Sequence, residues 1–183
     1  MELEREVKPL EERRAELLIK YRKLNVDRVE RYEDKTVYYL SKGDERYIML
    51  CVLGEKNIGI SYVRELKEMV DREGATKGIM VVGGVYTYSS RSFAERLGIE
   101  LIEPSLPAFD VFEHELVPRH EILSEEEKRR VLDRFHAKPY QFPWIKASDP
   151  ISIILGAKPG DIIKITGKSL TAGVYESYRY VVK

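Results

Sequence analysis

Glu113, His114, Glu115, His120 and Glu121 fall within nine residues of chain, and imidazole with carboxylate is a donor set that zinc and related ions accept. The spacing works against a shared ion. A strand would put His114 and His120 on one face but about 20 Å apart, unless Pro118 folds the segment back. Both histidines are therefore expected to serve as hydrogen-bonded structural or interface groups. Ser124, Ser169 and Ser177 show no sequence signature of a nucleophile with its base, so capping and turn roles are expected of them. Gly83-Gly84 lacks the third glycine of a dinucleotide fingerprint and reads as a strand end. Phe142-Pro143-Trp144 and Tyr175, Tyr178 and Tyr180 could stack on bases, but no basic run surrounds them, and a protein-facing apolar patch is the expectation. Lysines and arginines of the 61–74 helix and around Ser90-Arg91 could meet phosphates; a solvated helix face is the default. No cofactor, no metal and no small-molecule substrate is expected.

The elements that must position these residues come from a chain of 183 residues, long enough for one large or two small domains. Lysine plus arginine and aspartate plus glutamate both number 31, so no global field draws the chain to nucleic acid or membrane. Up to Phe112 there are 19 basic and 21 acidic residues, and beyond it 12 and 10. The single Cys51 cannot close an internal disulfide, which suits a reducing compartment. The longest apolar run, Ile48 to Leu53, is too short to span a bilayer, and the charged start does not read as a signal peptide. Charged residues make up 34% of the chain, which would suit a thermophile.

Leu10, Leu17, Tyr21 and Leu24 predict an amphipathic first helix starting near Pro9, with Arg13, Arg14, Glu16, Arg22 and Lys23 between them. Val26 to Tyr32 is ambiguous. Thr36–Leu40 and the continuous apolar Tyr47–Leu53 predict a hairpin about the turn Lys42–Glu45, the second strand being central and covered on both faces. Ser61 is the expected cap of a helix reaching Gly74, with Val63, Leu66 and Val70 inward. Gly78–Val82 is a buried strand. Ser89 or Ser90 should cap a short helix with Phe93, Ala94 and Leu97, and Ile99–Ile102 is a last strand. The alternation implies an α/β sandwich with a partly parallel sheet. Pro104 to Pro107 reads as a linker.

Gly59–Leu66, Gly74–Val82 and Phe93–Ile102 resemble the second half of a restriction-endonuclease-like domain. Nucleases of that kind place an acidic residue on one strand and Glu-x-Lys or Gln-x-Lys on the next to hold Mg²⁺ and activate water. The matching strand here reads Leu50-Cys51-Val52, without carboxylate or lysine. Glu55-Lys56 are adjacent and point to opposite faces of a strand, and Asp44-Glu45 sit in a turn. The resemblance thus implies a nuclease-shaped scaffold without its metal site.

In the second part, Val111–Leu123 reads as extended, with Pro118 marking an edge or bend. Ser124 and Glu127 form a capping box opening a helix with Val131, Leu132 and Phe135 on one face. Asp149 should cap a short helix begun by Pro150 and ended by Gly156. Lys158–Asp161 reads as a type II turn with Gly160 third, followed by strand Asp161–Ile165, a turn about Thr171-Ala172-Gly173 and strand Val174–Val182. On that last strand Val174, Glu176, Tyr178, Tyr180 and Val182 share a face, opposite Tyr175, Ser177, Arg179 and Val181.

From His114 to Val182 the chain resembles the archaeal RNA polymerase subunit that is the counterpart of the fifth subunit shared by the eukaryotic RNA polymerases. The matching islands are His114-Glu115-Leu116-Val117-Pro118-x-His120, Leu123-Ser124-x-Glu126-Glu127-Lys128, Gln141-Phe142-Pro143-x-Ile145, Asp149-Pro150, Leu155-Gly156, Gly160-Asp161-x-Ile163-Lys164-Ile165, Lys168-Ser169, Thr171-Ala172-Gly173 and Tyr178-Arg179. The resemblance implies a non-catalytic polymerase subunit. Residues 109–183 would be an α+β assembly domain, with a short sheet and two or three helices, docking on the largest subunit. Residues 1–108 would be an α/β, nuclease-like jaw domain with a mixed sheet near downstream DNA. It also implies partner-binding roles for His114, Glu115, Leu116, Val117, Pro118, His120, Gln141, Pro143, Asp149, Pro150, Gly156, Gly160, Lys168, Ser169, Gly173, Tyr178 and Arg179. The cytoplasm of an archaeon, or the nucleus of a eukaryote, would be the setting. Two features depart from the family. Typical archaeal members consist of the second domain alone, and position 167 is Gly where the family commonly carries an arginine able to pair with the largest subunit. The alternative reading is a nuclease-derived DNA-binding protein or structure-specific nuclease acting through the first domain.

Overall fold

The structure is a computed structural model that describes residues 8–169 and 173–183. It divides into two units, Met1–Phe109 and Asp110–Lys183. In the first, α1 (Leu10–Arg22) leads into β1 (Asn25–Arg31), β2 (Lys35–Lys42) and β3 (Glu45–Val52). Then follow β4 (Asn57–Ile58), α2 (Ile60–Glu73), β5 (Lys77–Val82), β6 (Val85–Tyr86), α3 (Tyr88–Leu97) and β7 (Glu100–Ile102). The sheet order is β1-β2-β3-β5-β7, antiparallel through β3 and parallel beyond it. The apolar run of β3 is therefore the middle strand, and Ile48 to Val52 are all buried. Alternation sends Ile48, Leu50 and Val52 toward Val63, Leu66 and Val70 of α2, where Phe93, Ala94 and Leu97 of α3 join the same core. The helix α1 packs against β3 and β5.

The predicted face of α1 holds only in part: Leu17 and Leu24 are buried and Tyr21 half-buried. Leu10 is 52% exposed, while Glu11, Glu12, Arg14, Ala15, Leu17, Leu18 and Arg22 are buried. Three of these charged groups go inward onto partners remote in sequence. Arg14 donates to the carbonyls of Leu106 (2.7 Å), Val82 (2.8 Å) and Pro104 (2.6 Å), Glu12 accepts from the Thr36 hydroxyl at 2.7 Å, and Arg22 forks onto Glu100. The same contacts change the reading of Pro104–Pro107. That segment is held to the first unit by Arg14, with Leu106 buried. Two caps also move. Gly59 rather than Ser61 precedes α2, and Thr87 rather than Ser89 or Ser90 caps α3, accepting from the Ser90 backbone. The Ser90 hydroxyl is instead spent on the Ile58 carbonyl, 2.6 Å away. Val26–Tyr32 resolves largely into the exposed edge strand β1.

In the second unit, a 3-10 turn at Val111–Glu113 breaks the segment expected to be extended. It is followed by β8 (Arg119–Ile122), α4 (Glu125–Phe135), a second 3-10 turn at Pro139–Gln141, β9 (Trp144–Lys146), α5 (Pro150–Leu155), β10 (Ile162–Ser169) and β11 (Gly173–Val182). The sheet order is β8-β10-β11-β9; the first two pairings are antiparallel and β11/β9 is parallel. Ile163, Ile165 and Val181 are buried on one face with Ile122, Ile145, Leu155 and Ala157 against them. The other face holds an edge-to-face triad of Phe135, Phe142 and Tyr178, centroids 5.7–6.1 Å apart. The Ser124/Glu127 capping box forms with both reciprocal bonds, and Asp149 caps α5 by accepting from Ile151 N–H at 2.9 Å. The expected turn at Thr171-Ala172 lies outside the described residues.

Candidate functional site

The four strands of the second unit bring His120, Ile165, Arg179 and Ile145 to one side of the sheet. There a cleft of about 440 Å³ opens, lined also by Trp144, Lys146, Ser148 and Asp149. His120 on β8 stands directly opposite Ile165 on β10, and Ile163 stands opposite Arg179 on β11. The parallel pairing of β9 with β11 sets Ile145 beside Val181. The near wall is the short link from β9 to α5. Ala147 N–H continues the β9/β11 pairing to the Val182 carbonyl, and Asp149 N–H closes onto the Lys146 carbonyl.

His120 Nδ1 lies 2.7 Å from the Pro118 carbonyl. A carbonyl only accepts, so Nδ1 carries the proton and Nε2 is the group left for any other partner. Burial pulls this imidazole below its ordinary value of 6.5, a shift opposed by the Pro118 carbonyl and Asp149 and reinforced by the Arg179 charge. Phe112 packs on the ring at 5.8 Å. Arg179 and Trp144 are exposed, the indole by 64% with its N–H on the Tyr140 carbonyl.

Of the residues singled out from the sequence, the structure thus gathers His120, Asp149 and Arg179 into one cleft. His114 stands apart in a local turn, its Nδ1 accepting from Leu116 N–H at 3.2 Å. Glu115 and Leu116 are exposed, and Val117 and Pro118 half-buried. Gln141 caps its own 3-10 turn through Lys138 N–H. The Pro143 carbonyl accepts from Tyr180 N–H at 2.8 Å and so anchors the approach to β9. Pro150 opens α5 and Gly156 ends it in the left-handed region. Gly160, at φ +102°, makes the turn into β10. Lys168 pairs in register with Val174, and Ser169 with Gly173. Tyr178 is buried in the aromatic triad, its hydroxyl on Glu176 at 3.1 Å. Lys146 and Ser148 were not anticipated; their signal is a Pro-bounded Trp-x-Lys that becomes informative only once β9 is known to pair with β11. Gly167 lies under the ring of Tyr175, its partner across the β10/β11 pair, and a Cβ there would fall within that ring.

In the first unit, the strand positions where a nuclease would carry its metal ligands are occupied otherwise. Leu50, Cys51 and Val52 are fully buried, and the Cys51 thiol, pushed up by burial and then by Glu12 and Glu11, faces the Glu11 carbonyl at 3.8 Å. Thr36 stands opposite Cys51 in register. No group of three or more histidine, cysteine, aspartate or glutamate side chains that could hold a metal occurs among the described residues. The helical cations named above are engaged too: Arg91 with Glu103, Lys67 with Asp71, and Arg64 over the Phe93 ring.

Two comparisons with known proteins bear on these units. Residues 109–181 match the family described as RNA polymerase Rpb5, C-terminal domain, and residues 10–105 match the family described as restriction endonuclease. DNA-directed RNA polymerase subunit Rpo5 of Pyrococcus abyssi is 60% identical over 75 residues, 41% of this chain and 92% of that relative. The subunit of the same name from Sulfurisphaera tokodaii is 58% identical over 73 residues, 40% of this chain and 87% of the relative. The chain belongs, through its second unit, to the family of DNA-directed RNA polymerase subunit Rpo5, and it carries in front of that unit a domain of the restriction endonuclease family.

Proposed function

We propose that this chain serves in transcription as a subunit of a DNA-dependent RNA polymerase, docking on the largest subunit through residues 109–183 and contributing no chemistry of its own. The observation that carries this reading is the near-complete coverage of the archaeal Rpo5 relatives by the second unit. The open cleft and the exposed Tyr140 and Trp144 beside it give that unit a surface suited to another chain. Residues 1–108 extend the jaw along downstream DNA, where phosphate contacts hold a duplex without reading its sequence. The cytoplasm of an archaeon is the corresponding setting; no helix among the described residues is long and apolar enough to cross a membrane. Tagged full-length chain is expected to co-purify with the large polymerase subunits. Recovery of the chain only as a free monomer from its native lysate would count against the reading.

A second reading, a nuclease-derived DNA-binding protein or nuclease, is favoured by the match of residues 10–105 and by Glu11 and Glu12 buried on α1. Cysteine and threonine at the paired positions 51 and 36 support the non-cleaving alternative. Incubation of the full chain with duplex DNA and Mg²⁺ separates them. Cleavage lost in Glu12→Gln would establish the nuclease.

A further inference from the structure

On the exposed face of α2 and α3 one aromatic ring carries two cations. The guanidinium of Arg64 on α2 lies 5.8 Å from the centroid of Phe93 on α3, and that of Arg96, one turn further along α3, lies 5.5 Å from it. Phe93 is half-buried and packs against the core that holds Val63 and Leu66, so the ring is a fixed post. Both arginines are exposed. Neither has an ion pair among the described residues, although Glu68 stands one turn beyond Arg64 and Glu95 directly precedes Arg96. The lack of an ion pair is shared by Arg13, Lys23, Lys42, Arg46 and Lys56 of the same unit. Convergence is not shared: each other ring that bears a cation among the described residues bears a single one.

A ring face attracts a guanidinium without neutralising it, and the planar fork keeps its edge N–H groups for an acceptor. Two like charges drawn to one ring repel each other, a cost that an anion set between them removes. Ser61 lies one turn before Arg64 and Ser92 one turn before Arg96, both exposed, so each guanidinium has a hydroxyl on its own helical stripe. Resting on the polymerase reading and deepening its jaw, we infer that Arg64 and Arg96, posted on Phe93, clamp the phosphate backbone of duplex DNA. Guanidinium and hydroxyl donors hold phosphate oxygens without reading bases. An acidic protein segment fits less well, because a protein interface asks for apolar cover at its centre. The exposed positions flanking the two arginines, Ser61, Glu68, Ser92 and Glu95, offer none.

Binding of a labelled duplex to the full chain is followed by fluorescence anisotropy over a series of salt concentrations. Each phosphate contact contributes about 0.9 to the slope of log K against log salt, so the double variant Arg64→Gln, Arg96→Gln should flatten the slope by about 1.8. Arg64→Lys with Arg96→Lys keeps both charges and should retain most of the slope, which separates lost phosphate contacts from a disturbed fold. An unchanged slope in the Gln pair, an equal loss in Lys42→Gln, Arg46→Gln, or tighter binding of polyglutamate than of DNA overturns the assignment. In transcription complexes of polymerase containing the chain, Ser92→Cys labelled with an aryl azide should cross-link to downstream DNA, the native Cys51 being buried. Cross-links to protein alone count against the clamp. If the chain fails to co-purify with polymerase, the polymerase reading falls by itself and the salt titration decides whether the clamp binds DNA.

Discussion

Replacing Arg14 by methionine keeps the length and apolar stem of the side chain and deletes the guanidinium. Its three hydrogen bonds of 2.6–2.8 Å end on the Val82, Pro104 and Leu106 carbonyls. With Arg14 only 7% exposed, no water replaces the lost donors without rearrangement. Orphaning two buried carbonyls at roughly 1–3 kcal/mol each gives a loss on the order of 2–6 kcal/mol. Arg14→Lys should recover only part of this, because an ammonium cannot reproduce the planar fork that reaches three acceptors. Far-UV circular dichroism during urea unfolding of the full chain should show the loss, since most of the helix and sheet lies in the first unit. Limited proteolysis should show new cleavage near Pro104–Leu106, the segment that Arg14 holds. A loss below about 1 kcal/mol, the scale of one ordinary hydrogen bond, together with an unchanged proteolytic pattern, would refute the view that a buried cation ties that segment down.

Three further outcomes are expected. Ser124→Ala removes the capping box of α4 and should lower the stability of the second unit by about 1 kcal/mol, read from the Trp144 fluorescence transition; no change would mean that α4 is held by packing alone. Tyr38→Phe deletes a buried hydroxyl that has no hydrogen-bond partner among the described residues, so thermal denaturation should show equal or higher stability, and a clear loss would reveal a partner for the hydroxyl. His120 is held below its ordinary value, so the unfolded chain binds the proton more readily. Stability from this group is full above pH 6.5 and falls as the pH drops from there through the lowered folded value. His120→Gln should remove that part of the pH dependence, and an unchanged pH profile of the melting temperature would contradict it.

Three local signals of the second unit survived the passage from sequence to structure. The Ser124/Glu127 box, the Asp149-Pro150 start of α5 and the Gly156 stop each depend on atoms a few residues apart, and they form as read. The buried charges of α1 were not legible, because hydrophobic periodicity assumes that charges seek water. Glu12 and Arg14 are buried through Thr36, Val82, Pro104 and Leu106, which lie 24 to 92 residues away. The cleft was hidden for the same reason. His120 and Arg179 were singled out separately, but only the order β8-β10-β11-β9 brings them to one place and adds Lys146 from a three-residue strand.

The Tyr175 ring over Gly167 ties two positions into one unit of inheritance. Glycine weakens a strand interior, and an aromatic across the pair compensates by covering the bare backbone. An arginine introduced alone at 167 must expel that ring, while a small residue introduced alone at 175 leaves the glycine uncovered. The outer ring atoms of Tyr175 are the ones a side chain at 167 meets, and the residue is exposed, so the ring can swing toward solvent at the cost of its cover over the backbone. Substitutions at the two positions should therefore be coupled: Gly167→Arg is expected to lower the melting temperature less in a Tyr175→Thr background than in the parent chain, and equal losses in both backgrounds would show that the two positions act independently.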